Sequence, residues 1–313
     1  MKDNISRSYA SRSQWLRRLA SRRRDKAAFV LSGGGPLGAL QVGTLKALIE
    51  RGVRPELVVG TSVGALNAAF VAFDPTPEGI ARLERHWRAF RDGDLFPGGR
   101  FRVPWARMLR RGNSVFEHSG LRRMIEIGLG PEARFEDAVV PLGVVATDID
   151  SGVERLFASG PLMDPLLASA AMPGIFPPIE IDGHTYTDGG VANNVPMAPA
   201  VSMGAKTLYV LNATSHSHQR RPLIRPMDYL LHSFALARSQ RLFLEQPFYS
   251  DRVRVVMLPS PALDFYVPFA SMAYTDRLIK LAYEETVRFL DGAAEVAVAK
   301  MGDGELEAIY PPK

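Results

Sequence analysis

Twice near its start, this chain runs a short, unbroken apolar stretch into glycine and then directly into a helical pattern. Ala27–Leu31 leads into a glycine turn at Ser32–Gly35. A helix is then predicted from Leu37 to Arg51, with Leu37, Leu40, Leu45, Leu48 and Ile49 near one face and Gly52 past its end. Leu57–Gly60 repeats the pattern and is followed at once by a small-residue helix, Val63–Phe73, stopped before Asp74-Pro75. A strand that is apolar at every position is covered on both faces, whereas a half-exposed strand alternates. Strand, helix, strand, helix with tight turns predicts an α/β fold built on a mainly parallel sheet.

The remaining pattern fits that plan. Glu78–Arg91 and Gly120–Ile127 read as helices, and Asp92–Asn113 as an irregular excursion rich in Gly, Pro, Arg and aromatic residues. Pro141–Thr147 and Lys206–Leu211 read as buried strands, and Glu154–Ala158, Ile179–Ile181 and His184–Thr187 as shorter ones. Asp182-Gly183 makes the hairpin turn between the last two. Pro226–Gln246 and Ala270–Leu290 read as long helical stretches that either cover the sheet or line a channel. No repeat or linker divides the chain, so one domain is expected over residues 27–313, preceded by an arm, residues 1–26.

Composition removes several function classes. The chain has no cysteine, which excludes disulfides, thiolate metal sites and a cysteine nucleophile. Its net charge of +5 suggests a nucleic-acid partner until it is partitioned. Residues 1–26 hold nine Lys and Arg against two Asp, a net +7, which leaves −2 on the body. A nucleic-acid enzyme more often spreads basic residues over its folded face, so no nucleic-acid partner is expected. Within the arm, Trp15, Leu16 and Leu19 sit among Arg12, Arg17, Arg18 and Arg22. That makes it either a basic helix for an anionic membrane surface or a solvated tail; a targeting segment has a similar composition. No apolar run reaches the roughly 18 residues of a membrane span, and the start of the chain lacks the apolar core of a secretory signal. A cytoplasmic protein, peripheral to the membrane if the arm binds it, is the expectation.

The chemistry centres on Gly60-Thr61-Ser62-Val63-Gly64, a G-x-S-x-G between strand and helix. A serine is a weak nucleophile unless its oxygen is presented and its proton removed. A sharp strand-to-helix turn presents the oxygen, and the flanking glycines Gly60 and Gly64 relieve the crowding. About 28 residues earlier stands Ser32-Gly33-Gly34-Gly35-Pro36-Leu37-Gly38, whose backbone N–H groups could hold the oxyanion of a tetrahedral intermediate. It lacks the Lys-Ser/Thr ending of a phosphate loop. For the base, the six histidines offer little: His86 falls within a helix, His118 before one, His184 in a short strand, His216 and His218 in a polar loop, and His232 on a long helix. Asp188 ends a short strand before Gly189-Gly190, where a carboxylate could leave the sheet and reach the serine. Aspartate followed by glycine is also an ordinary turn signal, and taken alone the two readings balance.

Together, G-G-G-P-L-G at 33–38, G-T-S-V-G at 60–64 and D-G-G at 188–190 resemble, in order, the patatin-like phospholipase family. A-T-D-I-D-S-G at 146–152 and A-S-A-A-M-P-G-I-F-P-P at 168–178 also look like it. The resemblance covers about residues 27–210. It implies a three-layer α/β/α fold, Ser62 as nucleophile, Asp188 as its partner in a Ser–Asp dyad, and an oxyanion hole from the glycine loop, with Gly33, Gly34, Gly35 and Gly38 as candidate donors. It implies lipid or acyl-ester substrates and no cofactor or metal. The family often has Arg or Lys where this chain has Leu37, which weakens a strict phospholipid preference. Three alternatives stay open: a Ser-His-Asp esterase using His184 or His218, an acyltransferase or thioesterase on the same fold, and a catalytically idle scaffold.

Overall fold

The computed structural model describes residues 26–95, 114–213, 229, 232–238, 241, 242, 249, 253–269 and 271–292. The arm up to residue 25, most of the excursion before Asn113, and the loop with His216 and His218 lie outside these residues, as does much of Pro226–Gln246.

The two repeats near the start become β1 (Ala27–Leu31), α1 (Gly38–Glu50), β2 (Leu57–Thr61) and α2 (Val63–Phe73). Next come α3 (Pro77–Ala89), the short α4 (Asp92–Leu95), α5 (Ser119–Leu129), β3 (Leu142–Asp148), β4 (Glu154–Phe157) and α6 (Met163–Ser169). The chain continues with β5 (Ile179–Ile181), β6 (His184–Asp188), α7 (Met197–Ser202), β7 (Thr207–Leu211), β8 (Arg254–Met257) and α8 (Thr275–Asp291). Helix α3 starts where its local chemistry says it should: Thr76 caps it by accepting from the Gly79 N–H at 3.1 Å, with Pro77 in the first turn.

The sheet links its strands in the order β5-β6-β3-β2-β1-β7-β8, with β4 also paired to β3. β1, β2, β3, β7 and β8 are parallel to their neighbours in that series. β4, β5 and β6 pair antiparallel. The apolar runs are buried on both faces, as their composition demands. Phe29, Leu31 and Val58 face a cluster with α1, α2, α3, α5 and α8, while Ala28, Val30 and Val59 face a second cluster with Met197 and Ala200 of α7. The fold is therefore a three-layer α/β/α arrangement.

Four elements were not expected. The short α4 falls inside the stretch Asp92–Asn113, which reads as irregular from its composition. β8 carries Arg254 among half-buried residues at the sheet edge, so it lacks the continuous apolar run that marks β1 and β2. α6 and α7 have seven and six residues, too short for helical periodicity to declare itself. The Ala270–Leu290 helix begins only at Thr275, after Met272 and Ser271 have entered the core.

The pairing around β3 sets up the site. Val144 and Val145 pair with both β2 and β4, and Ala146 and Thr147 with both β4 and β6. A strand has only two edges, so β4 occupies one while β2 and β6 follow each other along the second. β2 ends with Thr61 opposite Val145, and β6, running the opposite way, ends with Asp188 opposite the next residue, Ala146. The carboxyl ends of two strands more than a hundred residues apart thus meet head to head.

Candidate active site

Ser62 stands at the first of those ends. Its φ of 56° and ψ of −128° are unusual for a residue with a side chain, and they turn the chain from β2 into α2 within one residue. The turn is that tight because glycine flanks it. A methyl on Gly60 would collide with the Gly64 carbonyl, and one on Gly64 with the carbonyls of Leu31 and Ser32. The Ser62 N–H donates to Ser169 Oγ at 2.8 Å, and Ser169 Oγ donates to the Val145 carbonyl at 2.6 Å. A wholly buried serine on α6 thereby ties the elbow to β3.

Asp188 stands at the second end, 3% exposed. Its Oδ2 accepts from Ser62 Oγ at 2.7 Å and its Oδ1 from the Gly190 N–H at 2.7 Å. Its backbone is held as firmly: its N–H donates to Ala171 O at 2.9 Å and its carbonyl accepts from Thr147 Oγ1 at 2.9 Å. Burial pushes its carboxyl above the ordinary range, because charge is costly away from water. The Ser62 hydroxyl, the Gly190 amide and the charge of Arg238 pull it back down.

The glycine loop follows β1, the neighbour of β2, so Leu31 opposite Gly60 brings Gly33 beside Ser62. The loop rests on a buried polar chain. Trp87 Nε1 donates to Asn67 Oδ1 at 2.8 Å, Asn67 Nδ2 to Gln41 Oε1 at 2.9 Å and to Gly38 O at 3.0 Å, and Gln41 Nε2 to Ser32 O at 2.8 Å. Two of the four candidate oxyanion amides are already engaged: Gly33 N–H donates to Asn194 O at 3.2 Å, and Gly38 N–H to the Gly35 and Pro36 carbonyls. The amides of Gly34 and Gly35 meet no acceptor among the described residues. Gly35 has φ +56°, a conformation that glycine adopts freely. Leu37 packs half-buried against the core.

Three described histidines stand apart from the serine. His184 begins β6, four residues from Asp188, and its exposed ring faces Asp148 at 3.3 Å. His118 Nε2 donates to Pro177 O at 2.7 Å and its ring stacks on Phe176, and His86 packs between Phe70 and Phe90. None of these three bonds to Ser62. His218 lies outside the described residues.

Three neighbours escaped the sequence reading. Asn194 joins the two loops: besides accepting from Gly33 N–H, its Nδ2 reaches Gly33 O at 3.4 Å and its Oδ1 accepts from Arg238 at 3.2 Å. Two successive amides in the otherwise apolar V-A-N-N-V-P were its available signal. Ser169 had only its place in a small-residue run, and Arg238 had no local signal at all.

A serine at a strained strand-to-helix turn, bonded to a buried carboxylate beside unengaged loop amides, is the arrangement of a serine acyl hydrolase. Residues 29–201 match the patatin-like phospholipase family, and the chain belongs to it. Human patatin-like phospholipase domain-containing protein 6 is 34% identical over 190 residues, which are 60% of this chain and 13% of that protein. Rat patatin-like phospholipase domain-containing protein 7 is 31% identical over 190 residues, 60% of this chain and 14% of the relative. The chain therefore spans only a small part of the length of these relatives. The crystal structure of VipD from Legionella pneumophila aligns with a TM-score of 0.46 at 14% identity, over 86% of this chain and 67% of that one.

Proposed function

We propose that this chain hydrolyses carboxylic ester bonds of lipids through an acyl-enzyme on Ser62, with Asp188 as the sole general base. The observation that carries the reading is the 2.7 Å bond from Ser62 Oγ to a buried Asp188 Oδ2. As Oγ attacks the ester carbonyl, Asp188 takes its proton, and the amides of Gly34 and Gly35 receive the oxyanion. Asp188 then protonates the leaving alcohol. In the second half it takes a proton from water, which attacks the acyl-enzyme, releases the fatty acid and leaves Ser62 reprotonated. Gly33 and Gly38, with their amides already engaged, shape the loop in this scheme, and Gly60 and Gly64 shape the elbow. The reading treats residues 27–313 as one catalytic domain, supported by a single sheet that runs from Ala27 to Met257.

A fluorophosphonate probe, with its reaction rate followed against pH, tests this. The expected adduct sits on Ser62. Asp188 must be ionised to accept the proton, so the rate should rise with pH along one limb, centred above the ordinary carboxylate range because burial raises that group. An adduct elsewhere, or a second limb near the pKa of an imidazole, would count against the dyad. A lipid ester panel read for free acid against transferred acyl chain separates hydrolysis from acyl transfer.

The net charge of +7 on residues 1–26 supports a second proposal, peripheral attachment to anionic membrane through the arm. Binding to vesicles rich in phosphatidylserine should weaken with salt and be lost on deleting residues 1–24. Unchanged, salt-sensitive binding after the deletion would move the anchor elsewhere. No helix among the described residues is long and apolar enough to cross a membrane.

A further inference from the structure

Arg238 ends a described helical stretch, residues 232–238, far along the chain from every motif above. Its Nη1 donates to Asn194 Oδ1 at 3.2 Å. A methyl built on Gly190 would lie 2.9 Å from Asp188 Oδ1, 2.9 Å from Asn194 Oδ1 and 3.3 Å from Arg238 Nη1. The three polar atoms therefore surround one point. This caps the distance from Nη1 to Asp188 Oδ1 at about 6 Å, within the range over which opposite charge moves a carboxyl pKa. The guanidinium also lies 4.8 Å from the centroid of Phe234, one turn earlier. Its Nε is enclosed without a partner among the described residues. A cation half removed from water needs compensation. Among the described residues its hydrogen bond is to a neutral amide, and the charge that acts on it is that of Asp188.

We propose that Arg238 is a positioning residue, holding Asp188 ionised and aimed at Ser62 through its charge and through its bond to Asn194. This rests on the Ser62–Asp188 reading and deepens it. Each element packed against the carboxylate contributes one group: the elbow gives the Ser62 hydroxyl, the following turn gives the Gly190 amide, and the helical stretch gives Arg238. Thr147 and Ala171 engage only the backbone of Asp188. Arg238 is thus the one charge set against the burial of the base among the described residues, and the two remaining donors are neutral. Asn194 also bonds Gly33, so the same guanidinium braces the link between the glycine loop and the turn after Asp188.

The test is the position of the acidic limb of kcat/KM for a soluble ester, in wild type, Arg238→Gln and Arg238→Lys. Gln keeps a donor for Asn194 and removes the charge, so the limb should move up by about 1–2 pH units. Lys restores the charge and should bring the limb most of the way back. Arg238→Met keeps the packing on Phe234 and carries the same expectation, so it serves if the Gln variant does not fold. A limb that stays in place while only the melting temperature or plateau height changes would reduce Arg238 to a structural part. Equal shifts in Lys and Gln would show that charge is not the cause. Failure of the dyad itself looks different: wild type would then have no carboxylate limb, or the Ser62→Ala protein would still turn over.

Discussion

Ser62→Ala and Asp188→Asn are each expected to lower kcat for an activated ester by about 10⁴-fold or more, and the double variant should be no slower than the worse single one. The first removes the atom proposed to carry the acyl group. The second leaves a side chain of nearly the same shape that cannot take a proton. Asp188 also spends both oxygens as acceptors, one toward Ser62 Oγ and one toward the Gly190 N–H. Asparagine has one acceptor oxygen, so its NH₂ must face one of those two donors, and the hydroxyl loses its orientation or the turn loses its brace. The effects should not multiply if, as proposed, the two groups perform one proton transfer, since removing either then removes all of it. A factor of 10⁴ corresponds to about 5.5 kcal/mol of barrier, far more than any loss of stability would take from a folded sample. Either single variant working within tenfold of wild type would sink the dyad. Fully multiplicative losses would mean that serine and aspartate serve separate steps.

The parts of this site that follow short-range rules could be read from the sequence, and those that depend on strand pairing could not. β1 and α2 fall on their expected bounds, Ala27–Leu31 and Val63–Phe73. Each is marked by composition and ended by glycine or by Asp-Pro, signals that act within a few residues. That Gly33 would neighbour Ser62 follows from two parallel strands side by side. The meeting of Ser62 with Asp188 does not, because it depends on β2 and β6 sharing one edge of β3 with registers that differ by a single residue. A slip of one residue would turn the carboxylate to the opposite face of the sheet, and nothing in T-Y-T-D-G-G fixes that register locally. The family resemblance implies Asp188 as the partner of Ser62, whereas T-Y-T-D-G-G by itself fits an ordinary turn equally well. The Gly33 amide is engaged by the carbonyl of Asn194, which arrives from the far side of the same junction. Arg238 is invisible for a related reason: an arginine in a helical stretch is ordinary until tertiary structure sets it beside a buried acid.

The spacing between the glycine loop and the elbow should therefore matter as much as the groups themselves, and Gly38→Ala measures it. Gly38 has φ −56° and ψ −21°, so alanine suits its backbone and any penalty comes from contact. The added methyl would lie 2.5 Å and 2.9 Å from the two γ carbons of Val63 and 3.0 Å from the rim of Trp87. Carbon atoms rest at roughly 3.5–4.0 Å, so the loop and the first residue of α2 must part by roughly an ångström. Val63 follows Ser62 directly, while the Gly38 N–H closes the turn that carries Gly34 and Gly35. The displacement thus separates the Ser62 oxygen, the proposed nucleophile, from the amides proposed to receive the oxyanion. A misplacement of that size costs about 10²-fold in rate, and the overpacking should lower stability by about 1–3 kcal/mol. Val63→Ala in the same chain removes both γ carbons and should recover most of kcat and of the melting temperature together. The Gly38→Ala protein melting lower with kcat intact would show that turnover does not depend on this spacing. A rate that stays low in the double variant would trace the loss to Trp87 and the polar chain beneath the loop.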